Sequence, residues 1–376
     1  MLRAAVSLIL LSLPLLNIAS ADAAAPGPQA EEFRRIHGEM NAVLAKLAGL
    51  QVKFRTANED KQAEIQLQWK EMVAKGEEIE PKLVEAAKKA YAEAPNKDKN
   101  IADFLVQLLG GHVQRDEYEP AATIGKLLMD HKCPDKRLPN LAGIAAFATG
   151  DFDAAEKCLT QAAESGYYES PPKDDKQAQA GAAYLQAVGY YKEAWAKEKA
   201  IREAEAKADN LPRVLLKTNK GDIVIELFED QAPNTVANFI SLVQKGFYRD
   251  VPFHRVMPGF MAQGGDPRGD GTGGPGYSIA CECYRPDHRL HFRGSLSMAH
   301  RGRDTGGSQF FLTFVPTPNL DGLHTVFGRV VEGLDVLAKL QRRKPDDAEA
   351  PRPDKIIEAK VLRKAPHPYK PVKMPE

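Results

Sequence analysis

Cysteine is scarce. Four residues, Cys133, Cys158, Cys281 and Cys283, are too few for a disulfide scaffold in a chain of 376 residues, although an oxidising compartment would let them pair. Cys281-Glu282-Cys283 stands alone, with no second pair and no nearby CxxH, so no metal site is expected there. An excess of one charge is also missing. Lys and Arg number 51 and Asp and Glu number 51, which leaves no bulk field to attract nucleic acid or an anionic membrane. Beyond the first residues there is no apolar run long enough to span a bilayer. The glycine-rich "GDGTGG" (269–274 region) lacks the Lys-Ser/Thr of a phosphate-cradling loop and occurs once, whereas calcium-binding glycine repeats come in tandem. "GGSQFF" holds a serine without the G-x-S-x-G setting of a nucleophile. These absences remove nucleotide, metal and covalent chemistry from the expectations, and no cofactor is expected.

What is present begins at the amino terminus. Arg3 precedes an apolar run from Ala4 to Ile18 that ends in "ASADAAA". Ala19-Ser20-Ala21 and Ala21-Asp22-Ala23 both fit small-x-small cleavage sites, so residues 1–23 read as a secretory signal peptide, cut near 21/22 or 23/24. The run falls short of the roughly 18–20 residues of a membrane anchor and contains Pro14. Cys133 is too far from any cleavage site for a lipid anchor. The expected localisation is therefore periplasmic or secreted, with no membrane attachment after cleavage.

Residues 31–210 are rich in Ala, Glu, Lys, Leu and Gln and are expected to form an all-α region. In "KQAEIQLQWKEMVAKGEEIEPKLVEAAKKAYAEAP", Ile65, Trp69, Met72 and Val73 share one helical face, with Pro81 and Pro95 expected to punctuate the helix. Tyr118, Phe152 and Tyr191 each stand three residues before an alanine: Ala121, Ala155 and Ala194. The first two aromatics are 34 residues apart and the next gap is 39. An aromatic at a turn followed by a small residue lets two antiparallel helices pack closely. The 34-residue step and "LAGIAAFATGDFDAAEKCLTQA" (141–162) resemble the tetratricopeptide repeat, with two or three units expected over about 105–205 and a protein partner as their possible ligand.

After Leu211-Pro212 the texture changes. "RVLLKTNKGDIVIELF" alternates around a hairpin signal at Asn219-Lys220-Gly221. "APNTVANFISLVQKG" reads as one short helix with Val236, Phe239, Ile240 and Val243 on a face, and a second helix is expected near 332–340. Short strands between Gly/Pro turns, with two helices in about 150 residues, point to a closed barrel. The Pro- and Lys-rich tail at 365–376 is expected to be disordered.

Three stretches occur in register: "FHRVMPGFMAQGGD" (253–266), "GSLSMAHRGRDTGGSQFFLT" (294–313) and "LDGLHTVFGRVVEG" (320–333). Together with "TNKGDIVIELFEDQAPNTVANFISL", they make residues 212–364 resemble the cyclophilin family of peptidyl-prolyl cis-trans isomerases. The resemblance implies an eight-stranded antiparallel barrel capped by two helices, with a site on its outer face that takes proline-containing peptides or unfolded exported proteins. It assigns Arg255 as the donor to the twisted prolyl amide. Phe260, Met261, Phe311, Leu320 and His324 become the proline pocket, Gln263 and Gln309 orient substrate and arginine, and Ala299 and His300 pair with the substrate backbone. The glycines from Gly264 to Gly276 let a loop pass close beside an extended peptide.

Two departures stand out. His300 replaces the family's usual asparagine, and Asn319 stands where eukaryotic members carry tryptophan, so weak cyclosporin binding is expected. The loop "CECYRPDHRLHFR" (281–293) is also off pattern. The alternative to an exported isomerase is a module that binds proline peptides without turnover, carried on the repeat region as a scaffold.

Overall fold

The computed structural model describes residues 27–169, 175–344, 347 and 349–374; the signal peptide expected at 1–23 lies outside them. Seven helices come first among the described residues: α1 (Pro28–Thr56), α2 (Glu59–Glu93), α3 (Lys99–Gln114), α4 (Tyr118–Asp130), α5 (Leu138–Thr149), α6 (Phe152–Glu164) and α7 (Lys176–Ala208). In α1 the buried Phe33, Ile36, Met40, Val43, Leu47 and Leu50 recur at alternating steps of three and four, the seam of a helix packed along its length. That seam meets α2, which the Asn58 side chain caps by accepting from the Lys61 N–H at 3.2 Å. Ile65, Trp69 and Val73 are buried in α2 as expected, and Met72 is half-buried.

Two local expectations need correction. Pro81 does not end the helix but lies inside α2. A proline there removes one backbone donor, yet buried Ile79, Leu83, Ala86 and Ala87 hold the helix on both sides of it. The repeat reading is also trimmed. Tyr118 and Phe152 are the buried first residues of α4 and α6, and Ala121 and Ala155 behind them are fully buried. At Gly189, however, there is no third turn, because α7 runs unbroken from Lys176 to Ala208. One glycine costs a helix only about 1 kcal/mol, and the strong helix formers around it outweigh that.

The sheet follows: β1 (Arg213–Thr218), β2 (Gly221–Leu227), β3 (Val251–Pro252), β4 (Arg255–Met257), β5 (Met261–Gly264), β6 (Ser295–Met298), β7 (Phe310–Thr313), β8 (Val326–Glu332) and β9 (Lys355–Arg363). The two capping helices are present as α8 (Pro233–Gln244) and α9 (Leu334–Lys339). The strands form one curled sheet in the order β3-β9-β1-β2-β8-β6-β7-β5-β4, nine strands rather than the expected eight. Residues 251–257 enter the sheet as two short pieces, broken where the Phe253 N–H turns to the Asp354 carbonyl at 2.8 Å. These two pieces are the opposite edges of the sheet, so Phe253-His254 alone carries the chain from one edge to the other. Inside, Phe239 of α8 packs edge-on against Phe310 and Phe327, with Tyr248 at 5.2 Å.

Residues 365–374 are not a free tail. The Tyr369 hydroxyl donates to Glu229 at 2.8 Å, Asn234 exchanges two hydrogen bonds with the Val372 backbone, and the Met374 N–H donates to the Ser278 carbonyl at 2.9 Å. The prolines that suggested disorder pre-set the backbone angles, and the buried Tyr369 ring anchors the segment.

The chain divides into two compact units. One takes the residues up to Val113, with Tyr118–Ala145 and Lys157–Ala182; the other takes Gln114–Glu117, Ala146–Glu156 and Ala183–Glu376. The division runs through α5, α6 and α7 rather than at the expected Leu211-Pro212 junction. Within the second unit the carboxyl half of α7 belongs with the sheet. Arg289, almost wholly buried, pairs with Glu198 and Glu205, and Arg329 pairs with Glu205 and Glu226. Among the described residues no helix is long and apolar enough to cross a membrane.

Candidate active site

Strand register places the expected donor. Arg255 on β4 is opposite Gln263 on β5, Gln263 is opposite Phe311 on β7, and Phe311 is opposite Ser297 on β6. Residues directly opposed in antiparallel strands share a face, about 5 Å apart. Guanidinium, amide and phenyl ring therefore stand in a row across the sheet. Their neighbours Ala262, Phe310 and Leu312 alternate to the other face, where all three are fully buried. The sequence "QFFLT" thus divides its two phenylalanines: Phe310 into the core, Phe311 to the outer face.

The apolar residues gather around that row. Met261, two positions from Gln263, shares its face and is buried. Phe260 is half-exposed at the β4–β5 turn, and its carbonyl accepts the Phe314 N–H at 2.9 Å. His324 meets Phe311 edge-on at 5.5 Å between ring centroids. Leu320 is half-buried at the end of a short 3-10 turn, and its carbonyl accepts the His324 N–H at 3.1 Å. Asn319 in that turn is exposed.

The polar residues are fixed by hydrogen bonds. Gln263 Nε2 donates to Gln309 Oε1 at 3.0 Å, while Gln309 Nε2 donates to the Gly271 and Gly273 carbonyls at 3.0 and 2.9 Å. The Gln309 amide is thereby oriented, and among the described residues Gln263 Oε1 accepts no hydrogen bond. Among the described residues the Arg255 guanidinium is in no ion pair. The Ala299 N–H already donates to the Gln309 carbonyl at 3.0 Å, which leaves the Ala299 carbonyl for a peptide strand. The His300 side chain turns inward, donating from Nε2 to the Leu323 carbonyl at 2.8 Å and stacking on His324 at 4.1 Å. Burial pushes the His324 imidazole below the ordinary histidine value, against the pull of its hydrogen bond to the Met298 carbonyl.

Beside the row lies a cavity of about 660 Å³, bounded by the glycine loop from Gly271 to Gly276 and by Arg268, Arg301, Thr305, Tyr277 and Ser308. Gly271 and Gly276 have positive φ, and a Cβ at Gly273 would sit 2.0 Å from Asp266 Oδ1, so this loop can hold no larger residue there. Among the described residues no cluster of side chains is suited to hold a metal ion.

Sequence reasoning missed the layer beneath the row. His291, inside the off-pattern loop, is fully buried and stacks on Phe311 at 5.8 Å. Its Nδ1 lies 2.8 Å from Asp321 Oδ1 and its Nε2 lies 2.9 Å from Ser297 Oγ. No local pattern announces such a chain, because its three members come from separate loops and strands.

The family of cyclophilin type peptidyl-prolyl cis-trans isomerases matches residues 213–361. A peptidyl-prolyl cis-trans isomerase of Helicobacter pylori is 54% identical over 147 residues, which span 38% of this chain and 90% of that protein. Peptidyl-prolyl cis-trans isomerase B of Bacillus subtilis is 58% identical over 113 residues, spanning 30% of this chain and 78% of that protein. A crystal structure of a Cryptosporidium parvum cyclophilin type isomerase aligns with a TM-score of 0.38 and 34% identity, covering 41% of this chain and 99% of that one. Row, pocket and matched segment coincide, and the chain belongs to the cyclophilin-type peptidyl-prolyl cis-trans isomerases.

Proposed function

We propose that the chain isomerises X-Pro bonds of exported proteins without covalent chemistry, with Arg255 as the transition-state donor. Rotation about an X-Pro bond faces a barrier of about 18–20 kcal/mol because amide resonance must be broken. In the twisted amide the prolyl nitrogen regains a lone pair that the planar form lacks. A guanidinium fixed beside a proline pocket donates to that lone pair and so favours the transition state over either ground state. The carrying observation is the row Arg255–Gln263–Phe311. It sets a planar donor beside an oriented amide and a ring on which proline can rest. Lysine would offer a point charge without the same direction.

A protease-coupled assay on an Ala-Pro peptide with the full chain tests this. Arg255→Ala is expected to lower kcat/KM by about 10²–10³, the cost of one transition-state donor, while the peptide still binds. Arg255→Lys should rescue poorly. Wild-type turnover in Arg255→Ala would overturn the mechanism, and binding without any turnover in the wild type would favour the binding module. Export rests on the Ala4–Ile18 run and its small-residue end. Mature exported protein should begin near Asp22 or Ala24, and an intact Met1 on soluble cytoplasmic protein would refute it. The paired helices α3–α4 and α5–α6 support a tetratricopeptide-like surface that recruits a protein partner.

A further inference from the structure

Two contacts from outside the matched segment 213–361 reach the proposed proline pocket, one at each wall. On the first wall, Leu320 and His324 flank Asp321. That carboxylate is held on every side: Oδ1 accepts the His291 backbone N–H at 2.8 Å and lies 2.8 Å from the His291 ring, while Oδ2 accepts the hydroxyls of Tyr190 and Tyr191 at 3.3 Å each. The single Tyr191 hydroxyl proton is shared between Asp321 Oδ2 and the His291 carbonyl, 3.0 Å away, and that carbonyl also accepts the Thr317 N–H at 3.1 Å. Tyr191 is fully buried, wedged in α7 against Phe152 and Phe292.

On the second wall, Phe260 follows Gly259, whose N–H donates to Asp116 Oδ1 at 2.7 Å. Asp116 Oδ2 accepts from Arg342 Nη2 at 2.6 Å, and that guanidinium lies 4.8 Å over the Phe314 ring, whose N–H holds the Phe260 carbonyl. Asp116 is itself buried and sits at φ 64°, a left-handed conformation that aspartate tolerates better than most residues. All of these groups lie in one compact unit.

A wall that shifts by about 1 Å spoils a pocket whose purpose is to seat one small ring. The loop carrying Leu320 has little regular structure of its own, a single 3-10 turn followed by Gly322 at φ 71°. The Gly259 turn is equally short. We propose that Tyr191 and Asp116 are positioning residues for the isomerase, each fixing one wall of the proline pocket by hydrogen bonds from outside the catalytic segment. This rests on the pocket assigned above.

The test uses the full chain with Tyr191→Phe, which keeps the ring and its packing, and Asp116→Asn, which keeps the shape. An Ala-Pro peptide is titrated by NMR, and KM and kcat are measured well below the melting transition, where a loss of stability alone moves neither. Each variant is expected to weaken peptide binding and raise KM three- to tenfold, with kcat within about twofold of wild type. The ¹⁵N signals of the His291 ring should shift in Tyr191→Phe, because Asp321 loses a donor. Should Asp116→Asn fail to fold, Tyr191→Phe decides the matter. Unchanged peptide affinity in folded Tyr191→Phe overturns the proposal. A wild type that binds but does not turn over strikes the isomerase reading alone, since the affinity comparison still stands.

Discussion

At the scale of the residue, His324 is expected to couple the site to pH. Burial holds its imidazole below the ordinary value of 6.5, and the neighbouring His300 and His291 add to the lowering. The unfolded chain therefore takes up this proton before the folded chain does. The stability contributed by the neutral ring is complete above about pH 6.5 and is lost as pH falls through the lowered folded value. A charged ring against Phe311 would also repel an apolar proline. kcat/KM is expected to be flat from neutral to alkaline pH and to fall on the acid side with a midpoint below about 6.5. In His324→Gln that acid limb should be lost; the measurement is a pH profile with the same peptide. Asn319 makes a second case. It is exposed on the turn beside Leu320 and offers little flat apolar surface. Losing an aromatic anchor typically costs a binding site about 2 kcal/mol, near 30-fold in affinity. Asn319→Trp is expected to tighten cyclosporin by at least tenfold in a fluorescence titration, with isomerase turnover little changed.

At the scale of the element, α7 is the part whose role the sequence conceals. Glu198 and Glu205 turn to the sheet and meet Arg289 and Arg329. Burial by itself would raise the Glu198 carboxyl, but Arg289 and Arg202 together hold it below the ordinary carboxylate value. The sign of its linkage is opposite to that of His324: the stability is present above the unfolded value near 4.5 and is lost as pH drops through the lowered one. Arg289 lies 3.9 Å over the Phe228 ring and has no route to water. Glu198→Ala leaves that cation short of its main partner, and breaking a buried pair typically costs about 3–5 kcal/mol. Urea unfolding should show an unfolding free energy lower by that amount, seen as a lower midpoint with an unchanged slope. A shift below about 1 kcal/mol would mean that water or Glu205 compensates.

At the scale of the whole molecule, the cyclophilin-type segment shares its packing with α7 and α6. A fragment beginning at residue 212 loses Glu198 and Glu205 and uncovers Phe292, which packs on Phe152, Tyr191 and Trp195. At about 2–4 °C per kcal/mol for a domain of this size, it should melt about 10 °C or more below the full chain by differential scanning calorimetry. Equal melting temperatures would show that α7 merely rests on the sheet.

The long motifs determined the family segment and named the residues proposed for the pocket, because contacts made within a few residues leave a local pattern. "FHRVMPGFMAQGGD" carries the proposed donor, pocket wall and orienting amide on two strands joined by one turn, and strand alternation alone divides Phe310 from Phe311. The α1 seam was legible for the same reason, since its period is written in the chain. The tertiary structure alone decided the rest. Tyr191 and His291 are 100 residues apart and Asp116 and Gly259 are 143 apart. A hydrogen bond across such a distance leaves no periodicity, and a tyrosine that packs a helix looks the same as one that holds a loop. Pro81 inside α2 and the seated residues 365–374 share that cause. In each, burial against distant residues outweighed a local preference worth about 1–3 kcal/mol.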